Sequence, residues 1–321
     1  MNNGVKIFIR TGALIFLSLF AGFVLAEAKR YLIHPATVTP AVKDAEVNEE
    51  DPSFLSGFSR TLNYSSNGSD VETDGDAFVV PSITGPITAA EYEALDLRSG
   101  AILESKDIDR VAPIASLTKL VTAEVSRRLM ASTTRIVITG AILAAYGSNG
   151  HLRLGETISA GELLYPLLLV SSNDAAEALA QGYGRKDFIR AMNDWVRSIG
   201  AYHTDFYDPS GLSHYTISTA RDQTMILEWI YKNDPALIDI LRSRSATVRL
   251  HTWTNSTHFL NLSDYAGGKD GFIPEAGETA ASLFYADTAN ASSSPRYLIV
   301  VLGSQDRDND VLSLLRKAEG K

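Results

Sequence analysis

No cysteine occurs among the 321 residues. Disulfides, thiol catalysis and cysteine-ligated metals are therefore excluded, although the compartment is not decided by this. Histidine is also scarce: the six (34, 151, 203, 214, 251, 258) form no i,i+4 pair and no H-E-x-x-H, so no metal site is expected. A basic surface for nucleic acid is missing too, because the net charge is −9. Nine acidic residues and one arginine between Asp44 and Asp76 carry nearly all of that charge. The acidity describes one segment and says little about a substrate. No G-x-S-x-G elbow supports a Ser-His-Asp hydrolase, and no Walker or dinucleotide glycine pattern supports nucleotide use. What remains is globular composition, 45% hydrophobic and 21% charged.

The N-terminus reads as an export signal. Lys6 and Arg10 precede the uncharged run Thr11–Ala26, TGALIFLSLFAGFVLA. A positive flank followed by an apolar stretch inserts with the N-terminus inside. Residues 1–28 are expected to be a retained transmembrane anchor, placing the rest on the extracytoplasmic side in the cell envelope. The alternative is a cleaved signal peptide, for which Val24-Leu25-Ala26 and Ala26-Glu27-Ala28 offer small-residue sites. Residues 29–78 are acidic, rich in Ser and Asn, and without sustained periodicity, which reads as a flexible linker. The folded domain is expected over residues 79–321.

Within it, Glu91–Leu97, a turn at Arg98-Ser99-Gly100 and Ala101–Lys106 read as a hairpin. A helix is expected over Ser116–Met130, with Leu117, Leu120, Val121 and Val125 on one side. Ser159 with Glu162 three residues later is a capping-box signal. Asp174–Gln181, Arg185–Ile199 (stopped by Gly200) and Thr219–Tyr231 follow as helices. Strand signals then dominate at Ala246–Leu250, Ala280–Ala286 and Tyr297–Leu302, before a last helix near Asp308–Lys317. Strands at both ends and helices between them give an α+β order, with a sheet of chain-distant strands and a helical insert.

Three segments carry chemistry. In Ser116-Leu117-Thr118-Lys119, a helix starting at Ser116 puts residues i and i+3 on one face. The first turn offers free backbone N–H groups and a positive end. A serine hydroxyl is a weak nucleophile until a base takes its proton. A lysine can do so when burial or a second cation keeps its amine neutral. The plain alternative is a solvated helix face. Ser171-Ser172-Asn173 follows the apolar run Leu167–Val170. There a Ser can relay a proton and an Asn amide can grip a carbonyl. Alternatively, Asn173 or Asp174 simply caps the next helix. In Lys269-Asp270-Gly271, preceded by Gly267 and Gly268, glycines allow close approach of the backbone to a ligand. A lysine there could hold a carboxylate and depress the pKa of Lys119. The alternative is a glycine-rich hairpin with a solvated lysine.

In this order and spacing, the three segments resemble the penicillin-binding serine D-Ala-D-Ala carboxypeptidases, whose superfamily carries S-x-x-K, S-x-N-type and K-T-G motifs. Similar stretches include Ala112–Leu120, Gly161–Tyr165, Asp208–Leu212, Ser218–Asp222 and Gly268–Gly277. The resemblance covers about residues 80–315. It implies a β-lactamase/transpeptidase-like fold: an antiparallel sheet flanked by helices, with a helical subdomain inserted. It also implies a serine D-Ala-D-Ala carboxypeptidase acting on peptidoglycan stem peptides through an acyl-enzyme, with β-lactams as covalent inhibitors and no cofactor. By resemblance, Ser116 attacks, Lys119 takes its proton and Ser171 returns a proton to the leaving amine. Asn173 binds the substrate backbone, Lys269 lies at its C-terminal side, and the N–H groups of Ser116 and Phe272 form the oxyanion hole. One departure matters. The middle residue of the third motif is Asp270, where the family has a hydroxyl that meets the substrate's carboxylate. At about 4 Å and an effective dielectric constant of 20, like charges repel by about 4 kcal/mol. Asp270 is then protonated, paired elsewhere, or matched to a substrate without a free carboxylate. The alternatives are a D,D-endopeptidase, a β-lactamase-like hydrolase, or a non-catalytic peptidoglycan-binding homologue.

Overall fold

The computed structural model describes residues 85–147, 150–286 and 294–320. The expectations for residues 1–28 and 29–78 lie outside the described residues. The chain runs through β1 (Glu91–Asp96), β2 (Ala101–Lys106), β3 (Ala112–Pro113), a 3-10 turn (Ala115–Leu117) and α1 (Thr118–Leu129). It continues through β4 (Arg135–Val137), α2 (Gly140–Leu143), β5 (Thr157–Ser159), α3 (Ala160–Leu169), α4 (Asn173–Tyr183), α5 (Arg185–Ser198) and β6 (Ile217–Ser218). After these come α6 (Ala220–Asn233), α7 (Pro235–Leu241), β7 (Ser245–Val248), β8 (His251–Thr254) and a 3-10 turn (His258–Asn261). The chain closes with β9 (Tyr265–Ile273), β10 (Gly277–Phe284), β11 (Tyr297–Ser304) and α8 (Arg307–Ala318).

The main sheet has five strands in the order β2-β1-β11-β10-β9, and every pairing is antiparallel. The chain-terminal strand β11 is therefore central, and β9 is an edge. Successive strand residues face opposite sides, and β11 is apolar on both. Tyr297, Ile299 and Val301 join Val311, Leu314 and Leu315 of α8 in one core. Leu298, Val300 and Leu302 join the larger core built with the other helices. The expected α+β arrangement, with helices between chain-distant strands, is what forms. Among the described residues no helix is long and apolar enough to cross a membrane.

One local feature differs from the sequence expectation, and at another an alternative reading is set aside. The Ala246–Leu250 segment is not one strand. The chain turns at Arg249, which adopts φ = 55°, and Leu250 is 83% exposed, so β7 and β8 make a small hairpin. The glycine-rich stretch around Lys269 is not a hairpin tip but the middle of β9. The glycines fit the crowding there: a Cβ on Gly268 would lie 2.5 Å from the Ala281 carbonyl oxygen on β10.

Helix α1 is also more buried than one apolar face requires. Thr118, Lys119, Thr122, Glu124 and Ser126 are buried along with Leu120, Val121, Ala123 and Val125. Polar groups so placed need partners. Thr122 Oγ1 donates to the Pro209 carbonyl (2.6 Å) and Ser126 Oγ to that of Ala123 (2.8 Å). The helix is a central post around which the site is assembled.

Candidate active site

Ser116 sits in the 3-10 turn that leads into α1, rather than in the first α-helical turn. The residue before it, Ala115, adopts φ = 48°, which is costly for a side chain with a Cβ. The surroundings hold that conformation. Thr118 Oγ1 donates to the Ala115 carbonyl (2.7 Å), and Thr279 Oγ1 on β10 donates to the Ile114 carbonyl (3.2 Å). Two glycines allow other segments to close on the elbow. A Cβ on Gly211, which has φ = 81°, would overlap the Ala115 carbonyl oxygen at 1.8 Å. A Cβ on Gly271 would lie 2.6 Å from Ser116 N, so β9 passes directly beside the nucleophile's amide.

Lys119 is fully buried and its Nζ lies 2.8 Å from Ser116 Oγ. The same nitrogen donates to the Ser210 carbonyl at 2.8 Å. Burial pushes its pKa well below the ordinary lysine value, and the nearby Lys269 charge adds to this, against the opposing pull of Asp208 and Asp270. A neutral amine within hydrogen-bond reach of a serine hydroxyl is a general base in position.

The sequence reading did not assign a role to the loop that supplies Ser210. Its organiser is Asp208. Asp208 Oδ1 accepts from the N–H groups of Ser210 (2.7 Å) and Gly211 (2.7 Å) and from Ser210 Oγ (2.7 Å). Oδ2 accepts from Ser213 N (2.9 Å) and Thr216 Oγ1 (3.2 Å). Burial works to raise the Asp208 pKa, but these donors outweigh it and hold the carboxyl below its usual range. The one available signal was the Asp-Pro-Ser-Gly-Leu string itself, with an Asp placed to collect the N–H groups of the turn after it.

The second segment lies at the start of α4. Ser171 adopts φ = 55° and is half-buried at the turn from α3. Among the described residues its hydroxyl makes no hydrogen bond to Ser116, Lys119 or Lys269. Ser172, not Asn173 or Asp174, caps α4, its Oγ accepting from Ala175 N at 3.1 Å. That leaves the Asn173 amide for another task, and Nδ2 donates to the Tyr146 carbonyl (2.5 Å).

The third segment lies on β9. The Lys269 side chain is buried and donates to the Asp270 carbonyl (2.6 Å) and to Asp270 Oδ1 (3.0 Å). Arg307, at the start of α8 and also unassigned from the sequence, lies 3.9 Å from Asp270 Oδ2 and donates to the Gly271 carbonyl at 3.4 Å. Burial works to raise the Asp270 pKa, yet Lys269 and then Arg307 hold it below the ordinary value. Asp270 is thus ionised and paired. Phe272, one residue past Gly271, is 62% exposed. Among the described residues no group of three His, Asp or Glu side chains could hold a metal ion.

A serine hydroxyl within 2.8 Å of a buried lysine amine, beside an antiparallel sheet with a helical insert, is the arrangement of a serine hydrolase of the Ser-x-x-Lys kind. Comparison with known proteins agrees. The family model described as D-alanyl-D-alanine carboxypeptidase, Peptidase S11, matches residues 79–305. The chain belongs to this family and is a serine peptidase. It is 35% identical over 201 residues to a D-alanyl-D-alanine endopeptidase of Haemophilus influenzae, covering 59% of this chain and 68% of that protein. It is 30% identical over 236 residues to a D-alanyl-D-alanine endopeptidase of Pseudomonas aeruginosa, covering 70% and 75%. Among solved structures, a mutant DD-transpeptidase from Streptomyces superposes with a TM-score of 0.67 at 26% identity, over 74% of this chain and all of that one.

Proposed function

We propose that the chain is a serine-type D-Ala-D-Ala carboxypeptidase that releases the terminal D-Ala of peptidoglycan stem peptides. The observation that carries this is the 2.8 Å approach of a buried, deprotonation-prone Lys119 to Ser116 Oγ. Ser116 Oγ attacks the carbonyl carbon of the penultimate D-Ala while its proton passes to Lys119 Nζ. The resulting oxyanion is met by the N–H groups of Ser116 and Phe272; one such donor is worth about 10²–10³ in rate. The C–N bond then breaks, and the proton held by Lys119 passes by way of Ser171 to the leaving amine. Water attacks the Ser116 ester, its proton passing to Lys119 Nζ and on to Ser116 Oγ as the ester C–O bond breaks, which frees the shortened peptide and restores the hydroxyl. Asn173 holds the substrate backbone, and Lys269 stands on its C-terminal side.

The catalytic domain is assigned to residues 79–321, tethered by the 29–78 linker to an N-terminal anchor in the envelope membrane. Cleavage as a signal peptide is the alternative, and the mass of the native N-terminus distinguishes them. A β-lactam should be attacked by the same serine. Incubation with labelled penicillin should therefore yield a covalent adduct at Ser116 that Ser116→Ala abolishes. An adduct on another residue, or none on the unaltered protein, ends this reading.

A further inference from the structure

The Asp208 loop has two sides. Its inner side is buried and presents the Ser210 carbonyl to Lys119 Nζ at 2.8 Å. Its outer side carries three aromatic rings that the reacting centre does not use. Tyr207 and Tyr215 are 66% and 60% exposed, and His214 is exposed beside them. The rings form a row. The centroids of His214 and Tyr215 are 4.1 Å apart and those of Tyr215 and Tyr207 5.4 Å, with tilts of 40° and 41°. The loop braces them. Tyr207 N donates to Thr216 Oγ1 (3.0 Å) and Tyr215 N to Ser213 Oγ (3.2 Å), while Asp208 ties Ser213 and Thr216 from the inside. Exposed rings on a braced loop have little freedom left to lose when a ligand arrives, and that favours binding.

Exposed aromatic clusters mark binding surfaces, and the chemistry of these rings narrows the ligand. Phenol and imidazole rings are apolar across their faces and polar at their edges. They match a ligand built the same way, flat and rich in C–H on one face, with hydroxyl and amide groups around its rim. A pyranose sugar has that form. Apart from His214, the only ionisable side chain from Tyr207 to Tyr215 that carries charge near neutrality is Asp208, which is buried and engaged by its own loop. Nothing in the row recruits a charged ligand. Peptidoglycan, the substrate class of the family, has two parts, stem peptides and glycan strands. The reacting end of the stem offers D-Ala methyl groups, too small to cover three rings. The strand offers a succession of pyranose faces.

We propose that the Tyr207, Tyr215 and His214 row is a glycan-binding platform, which stacks on sugar rings of the peptidoglycan strand while Ser116 works on a stem peptide that the strand carries. The inference rests on the proposed reaction for how a bound strand is used, but the binding itself is read without catalysis. Peptide-free glycan strands are titrated into the full chain by calorimetry. Binding should be saturable and should weaken about tenfold or more in the double variant Tyr207→Ala/Tyr215→Ala, a tenfold change being about 1.4 kcal/mol. Tyr207→Phe/Tyr215→Phe keeps the rings and should keep most of the affinity. For one stem peptide ending in D-Ala-D-Ala, kcat/KM should be higher when it is attached to its strand than when it is free, and the alanine double variant should bring the two values together. Thermal melts and penicillin labelling of Ser116 confirm that each variant keeps its fold and its reacting centre. No binding of strands by the unaltered protein overturns the platform while the proposed reaction stands. So does binding that the alanine variant leaves unmoved, a phenylalanine variant as weak as the alanine one, or equal kcat/KM for the two forms of the peptide. Strand binding that the alanine variant loses, with no labelling of Ser116 in the unaltered protein, keeps the platform and ends the proposed reaction.

Discussion

Two carboxylates flank the base of this site, and they are neutralised by opposite means. Asp208 is satisfied by neutral donors, the hydroxyls and N–H groups of its own loop. Asp270 is satisfied by two cations from β9 and α8. Both remain ionised, and both pull the Lys119 pKa upward against burial and Lys269. A carboxylate whose partners are backbone amides fixes a shape; in this case it presents the Ser210 carbonyl to Lys119. A carboxylate whose partners are cations sets a local charge, and so acts on whatever ligand approaches. The first is architecture, the second charge, although both act on the same amine.

The largest effect should come from removing the group on which both act. Lys119→Met keeps the volume but removes the base. Attachment of labelled penicillin to Ser116 should slow by about 10²–10⁴, the usual worth of a positioned general base. A slowing of less than about tenfold would mean that proton transfer from Ser116 runs through another group, and the comparison of the two carboxylates would lose its common target.

Next in size is stability at Asp208. Asp208→Ala strands several buried N–H groups and should cost about 3 kcal/mol or more in thermal or urea unfolding. Asp208→Asn should recover part of the loss, because one oxygen still accepts. At Asp270 the same Asn should recover little, because its partners need a charge rather than an acceptor. Equal behaviour of Asn at the two positions would erase the distinction drawn here.

The Ser116–Lys119 contact and the helical insert were legible in the sequence because they rest on local patterns. Ser116 and Lys119 are three apart, Ser159 and Glu162 form the capping box that opens α3, and the apolar stripe of α5 buries Phe188, Met192, Trp195 and Val196. The third motif was legible as chemistry but not as structure. The glycines read as room for a close backbone approach, with a hairpin as the alternative, and only the crowding against β10 and Ser116 shows why a strand needs Gly268 and Gly271. Arg307 and the Asp208 loop were missed for a different reason. Their roles depend on long-range contacts, Arg307 with Gly271 across 36 positions and Ser210 with Lys119 across 91. No short-range spacing carries such information. The burial of α1 from Thr118 to Ser126 was hidden as well, because its Thr, Ser and Glu residues look like a solvated face until the chain closes over them.

The third effect is a displacement along the pH axis. Acylation needs a neutral Lys119, so its rate should rise with pH through a pKa well below that of a free lysine. Lys269→Met removes a cation that lowers this pKa, so the limb should move to higher pH. Asp208→Asn and Asp270→Asn each remove a charge that raises it, so the limb should move to lower pH. Stability has its own dependence. The folded pKa values of Asp208 and Asp270 lie below their unfolded values. Their contribution is therefore complete above about pH 4 and is lost as pH falls through the folded values. Asp208→Asn should flatten that acid limb in urea unfolding. A limb for acylation that Asp208→Asn moves and Asp270→Asn does not would place Asp270 too far from the amine to matter electrostatically.

The smallest effect should be that of Arg307→Gln alone. The guanidinium is 3.9 Å from Asp270, beyond hydrogen-bond range, and its bond to the Gly271 carbonyl is long at 3.4 Å. Lys269 keeps the closer contact at 3.0 Å, so Asp270 stays paired when Arg307 is gone. No hydrogen bond to Asp270 is lost with Arg307, so the destabilisation should fall well under that expected for Asp208→Ala. The Asp270 pKa should rise somewhat, since one of two cations holding it down is lost, while the Lys119 limb should stay in place because Arg307 does not act on that amine directly. Thermal unfolding and the pH profile of penicillin labelling measure both. A destabilisation as large as that of Asp208→Ala would mean that α8 is anchored to the sheet through Arg307, and that Asp270, like Asp208, serves architecture first.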